Sequence, residues 1–234
     1  MRSIEYIGRS LSHLFFPQVC FGCGSDLVLR QQLLCLQCVH QLPYTGFQLR
    51  ANNPVEKIFW GRLRIEQAAA VFYLTKDSVL ENLLYQLKYK GNKETGLYCG
   101  RIMGEALRHT PFTEADALVP LPLFAEKERK RGYNQAALLC EGMAAAMHKP
   151  VWKNTVQRVT GTQTQTRKNR VQRWENMQGR FMVSDAAKIT GKHVLLVDDV
   201  ITTGATLEAC GTELVAAGAR VSLATLGYAA TGNV

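Results

Sequence analysis

Two adjacent carboxylates and a loop of small hydroxylated residues form the most distinctive stretch of the sequence. Residues 193–206 read HVLLVDDVITTGAT, in which an apolar run is followed by Asp198 and Asp199. The small side chains of the next segment let backbone N–H groups close around a phosphate, and a helix that begins near Ala205 would point its positive end at the same place. We therefore predict a phosphate site in the loop Thr202, Thr203, Gly204, Ala205 and Thr206.

The two carboxylates would repel a phosphate unless a neutral group lies between them. A ribose fits, because its 5′-phosphate can lie in the loop while its 2′- and 3′-hydroxyls donate hydrogen bonds to Asp198 and Asp199. A divalent ion would reduce the remaining repulsion. A Walker B strand is an alternative, but it needs a GxxxxGK[ST] loop, and Gly191-Lys192 is followed by His193 without that spacing. An acidic strand end before an ordinary helix cap is the other alternative.

Four cysteines near the N-terminus form a second constellation. Cys20-Phe-Gly-Cys23 is followed, after eleven residues, by Cys35-Leu-Gln-Cys38. Two CxxC pairs on tight turns bring four thiolates within reach of one tetrahedral ion, and Zn²⁺ is the metal that such sites usually hold for structural purposes. A redox dithiol is the rival interpretation. We expect the remaining cysteines to be small core residues within helices: Cys99, Cys140 and Cys210.

The chain has 234 residues and a formal net charge of +9, and most of the positive excess lies in one segment. Residues 126–180 contain 12 Lys or Arg and 4 Asp or Glu, a net charge of +8, which leaves +1 for the rest of the chain. Such a patch indicates an anionic partner, either the phosphates of a small ligand or nucleic acid, with a solvated basic surface as the alternative. Three aromatic residues in or beside it would stack on bases or pack in the interior: Phe124, Tyr133 and Trp174.

Alternating strands and helices must position these residues. Apolar patterns predict strands over 68–74, 116–121, 193–197 and 220–226, and helices over 79–89, 96–109, 134–147 and 205–217. Continuous apolar strands between helices favour an α/β fold with a parallel sheet covered on both faces. Ligands of such sheets bind at the carboxyl ends of the strands, where we expect Asp198 and Asp199.

The chain is expected to divide into four parts. Apolar residues at helical spacing predict an amphipathic helix over residues 1–16. We expect residues 17–45 to form the cysteine module, residues 46–66 a linker, and residues 67–234 the main domain. No apolar run approaches the ~20 residues that a membrane helix needs. Charged residues interrupt the N-terminus where a signal peptide would be apolar, so we expect a cytoplasmic protein without a membrane span.

The stretch VLLVDDVITTGAT, residues 194–206, resembles the 5-phosphoribosyl-1-pyrophosphate (PRPP) motif of type I phosphoribosyltransferases. Three further stretches and the four-cysteine module are similar to the ComF family of amidophosphoribosyltransferase-like competence proteins: LKYKGNKETG at 87–96, VPLPLFAEKERKRGYNQA at 119–136 and QTQTRKNRVQRWENMQGRF at 163–181. The resemblance implies a parallel-sheet type I phosphoribosyltransferase fold behind a zinc finger, and a link to DNA uptake in natural transformation.

The resemblance also implies roles for individual residues. Asp198 and Asp199 match the pair that binds the ribose hydroxyls of PRPP, and residues 202–206 match its 5′-phosphate loop. The position at which related enzymes bind pyrophosphate through backbone N–H groups corresponds to Val119, Pro120 and Leu121, although Pro120 and Pro122 lack two of these donors.

Basic side chains that follow this strand would compensate for the missing donors, above all Lys127 and Arg131, with Arg129 and Lys130 beside them. Their alternative is an ordinary basic helix surface. Residues 160–180 match the mobile lid that covers PRPP, with Arg173 and Asn176 at recurrent positions of the family.

As an enzyme, the protein would transfer a pentosyl group: a nucleophile would displace pyrophosphate at C1 of the ribose. Catalysis would come from positioning, Mg²⁺ and neutralisation of the leaving group by basic residues. The sequence identifies neither a general base nor the acceptor. The alternative is a non-catalytic module that senses PRPP or a nucleotide, and that binds single-stranded DNA or acts as an adaptor for a DNA-translocating helicase.

Overall fold

The computed structural model describes residues 19–29, 32–159 and 180–230 of the chain, and six strands lie within them. Four strands form a parallel sheet in the order β1-β6-β5-β2, and β3 and β4 form a separate antiparallel ribbon. The strands are β1 (Ala68–Tyr73), β2 (Ala117–Pro120), β3 (Val156–Val159), β4 (Arg180–Val183), β5 (His193–Ile201) and β6 (Arg220–Tyr228).

Eight helices accompany the strands in the described residues. None of them is both long enough and apolar enough to cross a membrane. Short 3₁₀ turns lie at Phe47–Leu49 and Pro111–Glu114. The helices are α1 (Leu36–His40), α2 (Pro54–Ile58), α3 (Val79–Tyr89), α4 (Lys93–Leu107), α5 (Ala125–Arg131), α6 (Gln135–Met147), α7 (Ala186–Ile189) and α8 (Ala205–Ala216).

The sheet is buried because its strands are continuous apolar runs rather than alternating ones. All four residues of β2, residues 193–197 of β5 and residues 221–227 of β6 are buried. A strand of this kind must be covered on both faces, which is the arrangement that parallel sheets adopt. The predicted α/β fold with a parallel sheet is confirmed.

Several element boundaries differ by one to four residues from the sequence prediction, and two of these differences have a clear local cause. Helix α4 begins at Lys93 rather than at residue 96, because the side chain of Asn92 accepts the N–H of Thr95 at 3.3 Å and caps the helix earlier. Strand β5 continues past residue 197, because Val200 and Ile201 still pair with β6. Asp198 and Asp199 therefore lie inside the strand rather than after its end.

Helices α4 and α6 approach each other at backbone distance. A Cβ atom on Gly100 would come within 2.2 Å of the carbonyl oxygen of Leu139, and one on Gly142 within 2.3 Å of the carbonyl oxygen of Leu97. The glycines of α4 recur every four residues and so share one helix face: Gly96, Gly100 and Gly104. This close contact fixes α6, which follows the predicted pyrophosphate segment.

Residues 46–66 pack against the sheet and against α8. Asn53 caps α2 by accepting the N–H groups of Val55 and Glu56, and its Nδ2 donates to the carbonyl of Ala68 in β1 at 2.8 Å. Phe59 is fully buried. The segment therefore forms part of the wall that supports the amino end of α8. Residues 1–16, for which we predict a helix, lie outside the described residues.

The contact between α4 and α6 leads to a prediction about stability. Gly100→Ala should lower the free energy of unfolding by about 2 kcal/mol, because the added methyl group overlaps a backbone carbonyl that cannot move alone. Gly211→Ala is the matched control, since its Cβ would meet only the flexible end of the Leu63 side chain. Urea unfolding of both variants measures the difference, and an equal effect would contradict the packing described here.

Candidate functional site

A cleft of about 210 Å³ opens at the carboxyl ends of β2 and β5. It brings together two acidic and four basic side chains from separate parts of the chain. The lining residues are Lys88, Leu121, Pro122, Leu123, Lys127, Arg131, Asn134, Gln135, Arg158, Asp198, Asp199 and Thr206. Several predicted site residues thus meet in one cleft, and two cations that sequence analysis did not identify, Lys88 and Arg158, join them.

The two carboxylates of the cleft are held by different partners. Asp199 forms an ion pair with Lys88 at 3.0 Å, and Asp198 accepts the backbone N–H of Asp199 at 2.8 Å. Burial, and then the negative charge of Asp199, raise the pKa of Asp198 to about 8, although that N–H and the cations of Lys88 and Arg158 oppose the rise. The pair is therefore an acidic site in which one carboxyl keeps its proton near neutral pH.

The predicted phosphate loop joins β5 to α8. Gly204 has a φ of 73°, a left-handed conformation that favours glycine, and no side chain of the described residues caps the helix that follows. Arg62 stabilises the loop: its guanidinium donates to the carbonyl of Thr203 at 3.0 Å and forms an ion pair with Glu208. The positive end of this 12-residue helix therefore has no side-chain cap, and its Thr206 lines the cleft together with the two carboxylates.

The predicted pyrophosphate segment offers few backbone donors. Val119, Pro120 and Leu121 are all buried, and the N–H of Leu121 donates to the carbonyl of Val197 in β5 at 2.9 Å. Pro120 has no N–H. Lys127 and Arg131, which lie on the exposed helix α5, line the cleft instead.

Arg158 projects from the ribbon β3–β4 and is held by aromatic rings. Its guanidinium carbon lies 3.6 Å from the ring centre of Phe124 and 5.1 Å from that of Phe181. Its Nε is buried without a hydrogen-bond partner among the described residues. Burial lowers the pKa of Arg158, and the charge of Asp198 opposes this effect. The cleft therefore contains a cation whose guanidinium already stacks on aromatic rings without a ligand.

Two of the aromatic residues that were candidates for base stacking are engaged elsewhere. Phe124 lies under Arg158, and Tyr133 is buried, with its hydroxyl donating to the carbonyl of Leu87 at 2.5 Å. Trp174 lies outside the described residues, as do Arg173, Asn176 and the predicted lid up to residue 179. The stacking hypothesis for Phe124 and Tyr133 is therefore not supported by their surroundings.

The four predicted metal ligands form one cluster. The Sγ atoms of Cys20, Cys23, Cys35 and Cys38 all lie within 4.8 Å of one another, and those of Cys23 and Cys35 are 3.8 Å apart. Zn–S bonds of about 2.3 Å in tetrahedral geometry place sulfur atoms at roughly 3.8 Å, so the residues fit a metal ion. Burial raises the pKa of Cys20, but backbone N–H groups of Cys35, Cys23 and Gly22 outweigh it and lower the value to about 6, which favours the thiolate.

The cysteine cluster docks on α3. The side chain of Asn82 donates to the carbonyl of Gly22 at 2.7 Å, and a Cβ atom on Gly22 would come within 2.8 Å of the Sγ of Cys38. Only glycine therefore fits between the cluster and the helix. As predicted, the other three cysteines are buried in the core: Cys99, Cys140 and Cys210.

The chain resembles known proteins along most of its length. A family model described as the phosphoribosyl transferase domain matches residues 138–233. The DNA utilization protein YhgH of Salmonella typhimurium is 31% identical over 85% of this chain and 83% of its own length. The Competence protein ComFC of Bacillus subtilis is 32% identical over 81% and 75%, and the Competence protein F of Haemophilus influenzae is 28% identical over 82% and 89%.

Solved structures show weaker similarity. The glutamine PRPP amidotransferase of Bacillus subtilis matches with a TM-score of 0.42 and 18% identity, over 60% of this chain and 30% of that one. An adenine phosphoribosyltransferase of Thermoanaerobacter pseudethanolicus matches with a TM-score of 0.39 and 13% identity, over 74% and 98%. TM-scores below 0.5 are too low to support a functional assignment.

The raised pKa of Asp198 predicts how stability depends on pH. In the unfolded chain this carboxyl ionises near its ordinary value of 3.8, whereas in the folded protein it holds its proton to about pH 8. The folded state therefore binds more protons between these values, and stability falls across that window. Asp198→Asn cannot ionise, so its free energy of unfolding should not fall in this way. The difference in free energy of unfolding between this variant and the original protein should therefore shift in favour of the variant by about 2 kcal/mol or more as the pH rises from 4 to 8.5.

Urea unfolding at several pH values measures this difference. The exposed Asp77→Asn is the control for removing one carboxyl at the surface. If the difference between Asp198→Asn and the original protein did not change with pH, the assigned protonation of Asp198 would be wrong.

Proposed function

The chain belongs to the ComF family of competence and DNA-utilization proteins, and we propose that its cleft binds PRPP. One observation carries this proposal: the uncapped end of α8 lies beside the Asp198–Asp199 pair, and cations line the same cleft. A ligand for such a site needs a phosphate at one end, hydroxyl donors in the middle and further negative charge at the other end. PRPP has these three features in this order.

The proposed pose follows from the chemistry of each wall. The 5′-phosphate lies against residues 202–206, where backbone N–H groups and the positive end of α8 favour an anion. The ribose hydroxyls donate to Asp198 and Asp199. The pyrophosphate faces Lys127, Arg131 and Arg158, which take the place of the backbone donors that Pro120 and Leu121 do not supply.

Lys88 is a resident counter-ion in this pose. It neutralises Asp199 before the ligand binds, so the ribose meets a carboxylate whose charge is already compensated. Mg²⁺ that arrives with PRPP would offset the repulsion between the phosphates and the carboxylates. The protein residues alone would orient the sugar and hold the pyrophosphate.

Two uses of the bound PRPP differ in one chemical step. In a transferase, a nucleophile forms a bond to C1 of the ribose, the bond from C1 to the pyrophosphate oxygen breaks, and pyrophosphate leaves with the electron pair. In a sensor, PRPP stays intact. Release of pyrophosphate from PRPP in the presence of a panel of acceptors distinguishes the two.

We infer that the protein takes part in handling DNA that enters the cell. The names of its relatives, "Competence protein F", "DNA utilization protein YhgH" and "Competence protein ComFC", support this inference, and the matches cover 75% to 89% of those proteins. Single-stranded DNA is the proposed nucleic-acid partner. The helicase partner that the resemblance implies stays a prediction.

The proposed ion of the cysteine cluster is zinc. It would close a tetrahedral S₄ site and hold the turn at Gly22 against α3, which is a structural role. Cysteines that serve as metal ligands rather than disulfides suit a reducing compartment, and this supports the cytoplasm as the proposed location.

The PRPP proposal predicts different losses for different ligands. Asp199→Asn should weaken the binding of PRPP and of ribose 5-phosphate by roughly tenfold, because both offer hydroxyls to the carboxylate. Inorganic phosphate and pyrophosphate, which have no ribose, should keep their affinity. Arg158→Gln should show the other pattern: weaker binding of PRPP and pyrophosphate, and little change for ribose 5-phosphate.

Isothermal titration calorimetry with the four ligands checks both patterns. Lys153→Gln, which removes an exposed cation paired with Glu141, is the control for a change of charge alone. Equal losses for all ligands in Asp199→Asn would contradict the assigned role of the carboxylate.

The zinc proposal predicts one metal ion per chain in the purified protein. Cys35→Ser should lose the ion and destabilise the cysteine module, because metal binding contributes directly to the folding of small cysteine modules. Cys140→Ala, which removes a buried thiol of α6, should keep it. Elemental analysis by mass spectrometry measures the ratio, and a metal-free protein with four reactive thiols would rule out the proposal.

A further inference from the structure

Helix α3 carries an exposed pair of aromatic rings. Tyr85 and Tyr89 lie one helical turn apart, so their side chains share a face. Their ring centres are 5.4 Å apart with an angle of 42° between the ring planes, and the residues are 49% and 68% exposed. Because about half or more of each side chain is exposed, the two rings bury little surface in the hydrophobic core and are available to contact a partner.

Cations flank both rings. The Nζ of Lys90 lies 5.6 Å from the ring centre of Tyr85, and the guanidinium of Arg131 lies 5.9 Å from that of Tyr89. Within the part of the chain that the structure describes, neither Lys90 nor Arg131 forms an ion pair with an acidic residue. The surface therefore offers aromatic faces next to positive charge that no carboxylate neutralises.

The pair lies on a surface that connects two sites already described. Arg131, beside Tyr89, also lines the cleft of Asp198 and Asp199. At the other end, Tyr85 lines a depression of about 410 Å³ together with the turn at residues 19–24 of the cysteine module. The aromatic pair thus lies on one helix between the cleft of Asp198 and Asp199 and the cysteine cluster.

We propose that Tyr85 and Tyr89 form a platform on which unpaired bases of single-stranded DNA stack, with the strand's phosphates beside Lys90 and Arg131. Every base has a face that can stack on tyrosine, and a cationic rim favours the phosphates that connect the bases. The inference rests on the proposed partner class, single-stranded DNA, and does not depend on whether the cleft binds PRPP.

This platform takes the stacking role that the sequence suggested for Phe124 and Tyr133. Phe124 is covered by Arg158 and Tyr133 is buried, whereas the two tyrosines of α3 are open to solvent. Of the two basic side chains of the platform, Arg131 belongs to the strongly charged segment 126–180, whereas Lys90 lies next to α3. The charge of that segment and the rings of α3 meet only in the folded protein.

The test compares DNA binding by variants of the full chain. Tyr85→Leu/Tyr89→Leu keeps apolar bulk on the exposed face but removes both rings. Trp60→Leu is the matched control, since Trp60 is 60% exposed and also has a cation over its ring, Lys57 at 5.8 Å, but lies outside α3. Fluorescence anisotropy with a labelled 20-nucleotide oligo-dT probe, at 50 and 200 mM salt, gives the affinity and its salt dependence.

The double tyrosine variant should bind the probe at least about tenfold more weakly at both salt concentrations, with an unchanged salt dependence, because stacking releases no counter-ion. Arg131→Gln should weaken binding and also reduce the salt dependence, since one phosphate contact is lost. Trp60→Leu should bind as the original protein does. The probe should bind more tightly than the same sequence annealed to its complement, because paired bases cannot reach the rings.

Three results would overturn the platform. These are absence of binding to the probe at 50 mM salt, equal affinity of the double tyrosine variant and the original protein, and equal affinity for single-stranded and duplex DNA. Tyr85→Leu alone separates this test from that of the cleft, because the cation over the Tyr85 ring is Lys90, which does not line the cleft. This variant should bind the probe more weakly and keep its affinity for PRPP.

Discussion

The partial burial of Asp198 beside Asp199 is the electrostatic constraint on which the cleft depends. Two neighbouring carboxylates repel each other, and a low-dielectric setting strengthens that repulsion. Three groups reduce this repulsion. The Nζ of Lys88, in α3, lies 3.0 Å from a carboxylate oxygen of Asp199, the ribbon β3–β4 supplies Arg158, and the backbone N–H of Asp199 donates to Asp198. In the proposed pose Arg158 has both roles: its charge lowers the cost of the acidic pair, and it faces the pyrophosphate together with Lys127 and Arg131.

Helix α3 links this cleft to the rest of the molecule. Near its first turn, Asn82 holds the cysteine turn through the carbonyl of Gly22, and in its last turn Lys88 reaches Asp199. A metal ion in the cluster would therefore stabilise the helix that presents the counter-ion of the acidic site. Because an α-helix is stiff over eleven residues, the module and the cleft keep a fixed spacing. The cysteine module is thus part of the support of the site, rather than a separate appendage.

The sequence alone predicted those functional residues that lie next to one another, or at a short fixed spacing, along the chain. The CxxC pairs, the aspartate pair and the loop after it stand at fixed spacings, and apolar runs gave the parallel sheet. Lys88 and Arg158 could not be found this way, because each reaches the cleft only through the packing of α3 and of the ribbon. The extension of β5 to Ile201 depends on pairing with β6, and the burial of Tyr133 on the carbonyl of Leu87, so both also require the tertiary structure.

In the proposed pose, one cleft binds the phosphate, the sugar and the pyrophosphate of PRPP together. Phosphorus-31 NMR of PRPP can follow all three groups at once, because the 5′-phosphate and the two phosphorus atoms of the pyrophosphate give separate signals. We expect all three signals to shift or broaden as protein is added, and the effect to saturate at one PRPP per chain. Unchanged signals at equimolar protein, or a change confined to the pyrophosphate, would show that the cleft does not bind PRPP in this pose.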